Sequence, residues 1–378
     1  MSIIVQKYGG SSMADVSCIR NVAKRVVQTV TEGNQVVVTV SAMANATNDL
    51  LGLAHAVSDN PGRRELDLLI SVGERVSMTL LAMAIQDLGV NAASFTGSQS
   101  GIITDERHSS ARVVAVRPHR IQRALGEGKV AIVAGFQGVS REKEVTTLGR
   151  GGSDTTAVVL TAALGAQYCE ICSDVDGVYS ADPRVVPDAH RLKALPLAGA
   201  LAMAHCGAKV LLSDALAYAQ EHNVVLHANA TNQPSGSGTR LPPGDVPDKV
   251  IAVTSDDQLW CYRVHDSVPS AQLSALQGMI RAWIPGPKGL DVLVDRRNIH
   301  DTVQWPSSWE LVGPVATVSA IGRDAVTDPA VVAAACSATP NRIRWWATES
   351  AWTAMVTPEH ADETQRHLHA ELIGDGHR

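Results

Sequence analysis

Over its first 240 or so residues the chain alternates strand-like and helix-like runs, and this alternation limits the architectures open to it. SIIVQKYGG reads as a strand ending in a glycine turn. Residues 15–31 have helical periodicity, with Val16, Ile19, Val22, Ala23, Val26, Val27 and Val30 on one side. QVVVTVSAM is unbroken and apolar, the signature of a strand covered on both faces. Residues 65–88 form one long helical stretch. NAASFTG, KVAIVAGFQGV and YCEICSDVDGVY follow as strands with helix-compatible sequence between them, and HNVVLHANA reads as the last. This order gives an α/β domain with a mainly parallel sheet between helices. Loops at the carboxyl ends of such strands build the site.

The Pro/Gly/Ser-rich run from 232 to 248 is a natural boundary. It separates a domain over 1–240 from a smaller α+β region over 250–378. The tail holds strand candidates KVIAVTS, GLDVLVD, PVATVSAIG and SAWTAMV, and helix candidates at 272–283, 328–336 and 360–372. All seven tryptophans fall at or after Trp260, so the two parts differ in construction. They would pack the tail or an interface.

A formal net charge of −6 argues against a nucleic-acid partner. No run reads as apolar enough to span a membrane, and MSIIVQKYGG lacks the apolar region of a signal peptide. Six scattered cysteines suit reduced thiols in a cytoplasmic protein. Cys169 and Cys172 form a C-x-x-C. On a strand, positions i and i+3 face opposite ways, so buried structural cysteines are expected and no metal site.

Four glycine turns follow strands: KYGGSS, TGSQSG, GFQG and GRGGSD. Glycine lets backbone N–H groups approach an anion, and a following helix N-terminus favours negative charge. None is a Walker A or a dinucleotide fingerprint. Lys7, just before Gly9 and Gly10, can reach a phosphate or simply end a strand at the surface; Lys209 has the same two readings. Asp154 suits an N-cap as well as a catalytic role. Arg150 and Glu74 match the carboxylate and ammonium of an amino acid, although Glu74 could equally sit on a helix surface. SDVDGVYSADPR is turn-rich and does not have EF-hand spacing.

Taken together, KYGGSS, VVVTVSAMANATNDLL, LLISVGERVSMTLLAMA, SFTGSQSGIITD, VAGFQGVS, TTLGRGGSDTTAV, CSDVDGVYSADPRVVPDA and GAKVL closely resemble the aspartokinases, most of all those of actinobacterial type. The resemblance is continuous to about residue 230. It implies the amino acid kinase fold, a three-layer αβα arrangement with a mainly parallel sheet, followed by a small α+β ACT-like regulatory region. It implies transfer of the γ-phosphoryl of ATP, with Mg²⁺, to the β-carboxylate of L-aspartate. By motif, Lys7, Gly9, Gly10 and Ser11 would cradle the phosphoryl group, Lys209 would contact the ATP phosphates, and Asp154 would hold the lysines. Ser173, Asp174, Tyr179 and Arg184 would line the nucleotide site. Ser41, Thr47, Glu74 and Arg150, with Gly151 and Gly152, would hold aspartate, Arg150 at the α-carboxylate and Glu74 near the ammonium. A homodimer through the C-terminal region is also implied.

The chain departs from the family in three places. GAKVL continues as Leu212-Ser213-Asp214, where relatives carry His and a basic residue or proline. The last strand ends Ala228-Asn229-Ala230-Thr231-Asn232 instead of V-R-S-S-F. Both changes are expected to lie away from the motifs. The tail, where relatives carry two ACT modules that bind lysine or threonine, has a shortened first module without the usual glycine loop and N-I-D segment. The expectation is weakened or lost feedback. Two other readings remain: a kinase of the same fold for another acidic amino acid, and a non-catalytic regulatory subunit. Intact Lys7, Asp154 and Lys209 speak against the latter.

Overall fold

The computed structural model describes residues 1–149, 151–208, 211–265, 276, 279–286, 289–296, 305–306 and 308–374. They fall into two compact units. The first comprises the described residues of Met1–Val178, Leu192–Ala198 and Val210–Gly244, and the second those of Tyr179–Arg191, Gly199–Lys209 and Asp245–Arg378.

The first unit opens with β1 (Ile3–Tyr8), α1 (Val16–Thr31) and β2 (Gln35–Val40). Asp15 caps α1 by accepting from the Cys18 N–H at 2.8 Å, and Ile19, Val22, Ala23 and Val26 form its buried stripe. Next come α2 (Ala46–Val57), α3 (Arg63–Ile70) and α4 (Val72–Asp87). The single helix expected over 65–88 is therefore two, meeting at Ser71. Within residues 63–87 an 18-residue window has the length and mean hydropathy, 1.6, of a membrane span, contrary to the sequence reading. Half of that window is packed inside the protein, and the acids Asp67 of α3 and Glu74 of α4 are both buried.

The chain continues through β3 (Ala92–Phe95), β4 (Ile102–Thr104), β5 (Val113–Val116), α5 (His119–Gly126), β6 (Val130–Ala134), β7 (Gln137–Ser140) and β8 (Val145–Thr147). KVAIVAGFQGV splits into β6 and β7, which join different sheets. Phe136 between them has φ +68, which turns the chain. Then follow α6 (Gly152–Leu164), β9 (Tyr168–Ser173), α7 (Leu197–His205), α8 (Ser213–Glu221), β10 (Leu226–Ala230) and β11 (Thr239–Leu241). The main sheet has the order β11-β10-β9-β1-β2-β6-β3. It is parallel except for β11, a short strand absent from the sequence reading. A second sheet has the order β5-β4-β7-β8. Tyr8, Val22, Val26, Val38, Leu81, Ile85, Ile132 and Cys172 pack between the main sheet and α1 and α4. Cys169, three residues from Cys172, faces Thr161 of α6 on the other side, so the two thiols point apart as expected. Both are free and buried.

The second unit contains β12 (Ala252–Val264), β13 (Ile280–Gly286), β14 (Gly289–Asp295), β15 (Trp309–Ile321), α9 (Asp324–Thr327), α10 (Pro329–Ala338), β16 (Arg344–Ala347), β17 (Ala351–Val356) and α11 (Ala361–Leu372). Its antiparallel sheet runs β13-β14-β12-β15-β17-β16. The helix expected over 272–283 is a strand at its end, where Ile280–Trp283 belong to β13. Most of 272–279 lies outside the described residues. Val253, Val318, Ala320, Trp352 and Leu368 form the core beneath α10 and α11. The other face packs Leu259, Cys261, Ile284, Leu293, Val315 and Met355. Buried Asp291 on β14 accepts from Arg263 of β12 at 3.0 Å and pairs with Arg344 of the far edge strand β16 at 2.7 Å. Arg344 also donates to the carbonyl of Pro285 on β13, the other edge strand, at 3.4 Å, so the two edges of the sheet approach each other. Tyr262 stacks on Trp305, and Trp309 lies beside both, so three late aromatics pack within this unit.

Candidate functional site

Strand β1 lies where the strand order reverses: β2 sits on one side and β9 on the other. Crevices outside the carboxyl ends of strands at such a point take ligands. Lys7 is the next-to-last residue of β1, and its Nζ lies 2.6 Å from Asp154 Oδ1 in the first turn of α6. Both side chains are about nine-tenths buried, at 12% and 9% exposed, so the pair is lightly screened. Behind Lys7 the Gly9 N–H donates to the Cys172 carbonyl at 3.3 Å, which ties the loop to the end of β9. A β-carbon at Gly10 would come within 3.3 Å of the Ala42 carbonyl oxygen, so this turn packs tightly against the chain after β2. Ser11 is exposed at the start of a 3-10 turn, and Ser12 beneath it is buried.

Gly151, at φ +67, caps α6, whose first residues are Gly152, Ser153 and Asp154. A left-handed residue at the helix start aims the chain into the crevice, and the first free N–H groups carry the positive end of the helix dipole. Gly135 after β6 has no room for a β-carbon because Ser153 Oγ would be 2.7 Å away and the Val40 carbonyl 2.9 Å. The α6 N-terminus thus sits directly at the carboxyl ends of β2 and β6. The glycines of TGSQSG serve packing instead: Gly97 and Gly101 abut the backbone of Gln137 and Arg117.

On the opposite wall, Glu74 lies in the first turn of α4 and is 3% exposed. Its Oε1 accepts from the Ala42 N–H at 3.1 Å, while Oε2 has no hydrogen-bond partner among the described residues. Burial pushes its carboxyl up to about 7. Gly73 lets α4 close on Ala42, since a β-carbon there would be 2.7 Å from Ala42 Cβ, and Thr47 Oγ1 is 4.0 Å from the same point. Ser41 is held by its N–H donating to the Tyr8 carbonyl at 3.0 Å. Ser41, Thr47 and Glu74 are therefore gathered around the end of β2.

Arg150 and Lys209 lie outside the described residues. Ser173 ends β9, and its Oγ accepts from the Val175 N–H at 3.1 Å, shaping the turn that exposes Asp174. Tyr179 and Arg184 belong to the second unit. Arg184 is exposed and pairs with Asp182 at 2.6 Å, and Tyr179 bridges to Arg191.

Both departures near the domain end touch the motifs, contrary to expectation. Leu212 fills the space over Gly151. Thr231 donates its N–H to the Ser173 carbonyl at 2.9 Å, and its hydroxyl lies 2.6 Å from Ser12 Oγ. Parallel strands bring their carboxyl ends together, so positions at the end of β10 return to the β1 and β9 loops.

Three buried groups escaped the sequence reading. Asp67 of α3 accepts from the Thr147 hydroxyl at 2.6 Å, the Ser109 N–H at 3.0 Å, the Thr147 N–H at 3.2 Å and His108 at 2.8 Å. Glu170 of β9 pairs with Arg25 of α1 at 2.9 Å and accepts from Gln6, Asn229 and Ser235. Arg25 in turn donates to the carbonyls of Ala230, Thr231 and Gln233. An acid amid apolar helix positions is the only signal the sequence carries for Asp67.

The glycine-bounded space, the Lys7 charge and the α6 N-terminus suit a nucleotide's phosphates. Among the described residues no cluster of three or more His, Cys, Asp or Glu could hold a metal.

The first unit is thus built on an αβα sheet whose switch point lies at β1. The amino acid kinase family matches residues 2–227, and the chain belongs to that family. Within it, aspartokinase from Mycobacterium tuberculosis is 56% identical over 232 residues, and that from Corynebacterium glutamicum 55%. Each match covers 61% of this chain and 55% of the relative, so the aligned part spans about half the length of these curated relatives. An aspartate kinase structure from Synechocystis is 31% identical, with a TM-score of 0.60, covering 97% of this chain and 68% of that one. Escherichia coli aspartokinase III in complex with aspartate and ADP is 24% identical with a TM-score of 0.86, covering 98% and 99%, a likeness of fold.

Proposed function

We propose that the chain transfers the γ-phosphoryl of ATP to the β-carboxylate of L-aspartate, giving 4-phospho-L-aspartate. The observation that carries this reading is the Lys7–Asp154 pair, 2.6 Å long, set between the glycine loop and the α6 N-terminus. A carboxylate nucleophile needs no strong base, so the task is to bring two anions together and stabilise spread charge. Lys7 and the N–H groups of the glycine loop supply fixed positive charge, and Asp154 holds Lys7 in place. Mg²⁺, when bound with the nucleotide, would offset phosphate charge. Lys209 would add a second cation, and Ser173, Asp174, Tyr179 and Arg184 would hold the nucleotide. Ser41, Thr47, Glu74 and Arg150 would hold aspartate by its polar ends.

The domain division at 240–250, a homodimer through the C-terminal region, a cytoplasmic location and weakened lysine and threonine control belong to the same proposal. A related acidic amino acid as acceptor is a second reading, favoured by the apolar Leu212 over Gly151 beside the substrate loop.

The test is an ATP-dependent hydroxamate assay with Mg²⁺, comparing L-aspartate, L-glutamate and N-substituted aspartates, with and without lysine plus threonine. Turnover on aspartate that the two effectors leave unchanged supports the proposal. Turnover only on another acid moves the acceptor, and full inhibition by the effectors removes the loss of control.

A further inference from the structure

Two segments distant in sequence from β12 rest on four of its consecutive residues. The Val253 N–H donates to the Ser180 carbonyl at 2.7 Å. The Thr254 hydroxyl donates to the Cys206 carbonyl at 2.9 Å. Gly207, at φ +100, lies so close that an added β-carbon would be 2.7 Å from both the Ser255 carbonyl oxygen and Asp256 Cβ. All of these residues belong to the second unit.

The sheet leaves this place open. β15 pairs with β12 over Ala252–Asp256, while β14 pairs only from Leu259 onward, and the register shifts between Asp256 and Leu259. The first half of β12 therefore has one edge with no strand beside it among the described residues, and an unpaired N–H there would be costly if buried. Ser180 takes that N–H. Helix α11 braces the same stretch. Gln365 Nε2 donates to the Val253 carbonyl at 2.9 Å, Ser255 Oγ donates to Gln365 Oε1 at 3.0 Å, and His369 Nε2 lies 2.9 Å from Ser180 Oγ. Ser180 is fully buried and exchanges backbone bonds with the His190 region: its N–H donates to the His190 carbonyl, and its Oγ accepts from the His190 N–H. The turn carrying Tyr179 and Arg184 is thus pinned one residue from Tyr179. The run ending at Ala208 is pinned just before Lys209.

We propose that the first half of β12, with Gln365 and His369, is a positioning element for these two loops, so that the C-terminal region sets ATP affinity with or without a small-molecule effector. This rests on the kinase reading above, which assigns Tyr179, Arg184 and Lys209 to the nucleotide. It also gives the altered tail a physical reason to persist apart from feedback or dimerisation.

The experiment uses the full chain with Thr254→Val, His369→Ala and His369→Gln, and Leu368→Ala as a packing control in the same helix. Steady-state KM values for ATP and L-aspartate are measured beside hydrogen exchange over 179–191 and 199–208. Thr254→Val and His369→Ala are expected to raise the KM for ATP about three- to ten-fold, the usual worth of one lost hydrogen bond. The aspartate KM should stay within about twofold. Exchange should speed up in both segments, His369→Gln should recover part of the loss, and Leu368→Ala should lower Tm without changing the ratio of the two KM values. An unchanged ATP KM, or a rise shared equally by aspartate, overturns the proposal. If the unmodified protein turns over no ATP, the kinase reading fails, and exchange alone then decides. Faster exchange at both segments in Thr254→Val and His369→Ala supports the seat on β12; unchanged exchange removes it.

Discussion

Leu212 lies against Gly151, filling the space that a β-carbon at Gly151 would occupy. The glycine is also held at φ +67, a region that costs an ordinary residue roughly 1–2 kcal/mol. Gly151→Ala is therefore strained twice, once in its own backbone and once against Leu212. Adding Leu212→Ala should relieve the second strain only. The pair is expected to show a coupling of about 1 kcal/mol in thermal or denaturant unfolding, with the aspartate KM raised in Gly151→Ala and partly restored in the double variant. Strict additivity would mean that the two side chains do not meet.

Lys7→Ala removes the positive partner of a carboxylate that is 9% exposed. Its main loss should be in kcat, by two orders of magnitude or more (~3 kcal/mol), because charge on the transferred group peaks in the transition state. Circular dichroism should show the fold retained. Arg150→Ala should instead raise the aspartate KM with a smaller effect on kcat. Near-normal turnover by Lys7→Ala would take the phosphoryl group away from the β1 loop.

Much of the αβα frame was legible because buried parallel strands are unbroken apolar runs and α1 has a clean apolar stripe closed by Asp15. The elements missed were short or locally ambiguous. β11 has three residues, β16 four, and β13 contains a proline and a glycine. The break at Ser71 left no mark because a helix pattern runs through it. At the site, Lys7 and Asp154 could be named from their glycine contexts, but their contact depends on β1 and α6 meeting in space. Leu212 and Thr231 were placed away from the site because sequence distance hides the return of a parallel sheet's carboxyl ends to one crevice.

Glu74 predicts a pH dependence. Burial raises its carboxyl from an ordinary 4.5 to about 7 in the folded chain. Between those values the folded state binds more protons than the unfolded state, so this residue's contribution to stability falls as pH rises from about 4.5 to 7. The whole effect is on the order of 3 kcal/mol. Binding an ammonium needs the charged form, so kcat/KM for aspartate should rise with pH through about 7. Glu74→Gln should flatten both curves and raise the aspartate KM, and stability measured from pH 5 to 8 checks the sign. A Glu74→Gln profile identical to the parent's would assign the titration to another group.

Asp67 offers the sharpest separation of stability from binding. It is wholly buried and takes hydrogen bonds from Thr147 twice, from Ser109 and from His108. These tie α3 to β8 and to the loop after β4. Ser109 and Ser110 in turn pack against Gly149, just before Arg150. Asp67→Asn keeps the shape but turns one acceptor into a donor facing other donors, so it should cost about 2–4 kcal/mol of unfolding free energy. Because β8 leads directly into GRGG, the surviving folded protein should bind aspartate more weakly while its ATP KM changes little. Thr147→Val removes one donor and leaves the carboxylate, and should show the same KM pattern at a smaller cost in stability. If Asp67→Asn raised both KM values equally, the network would be general scaffolding with no particular hold on the amino acid side of the site.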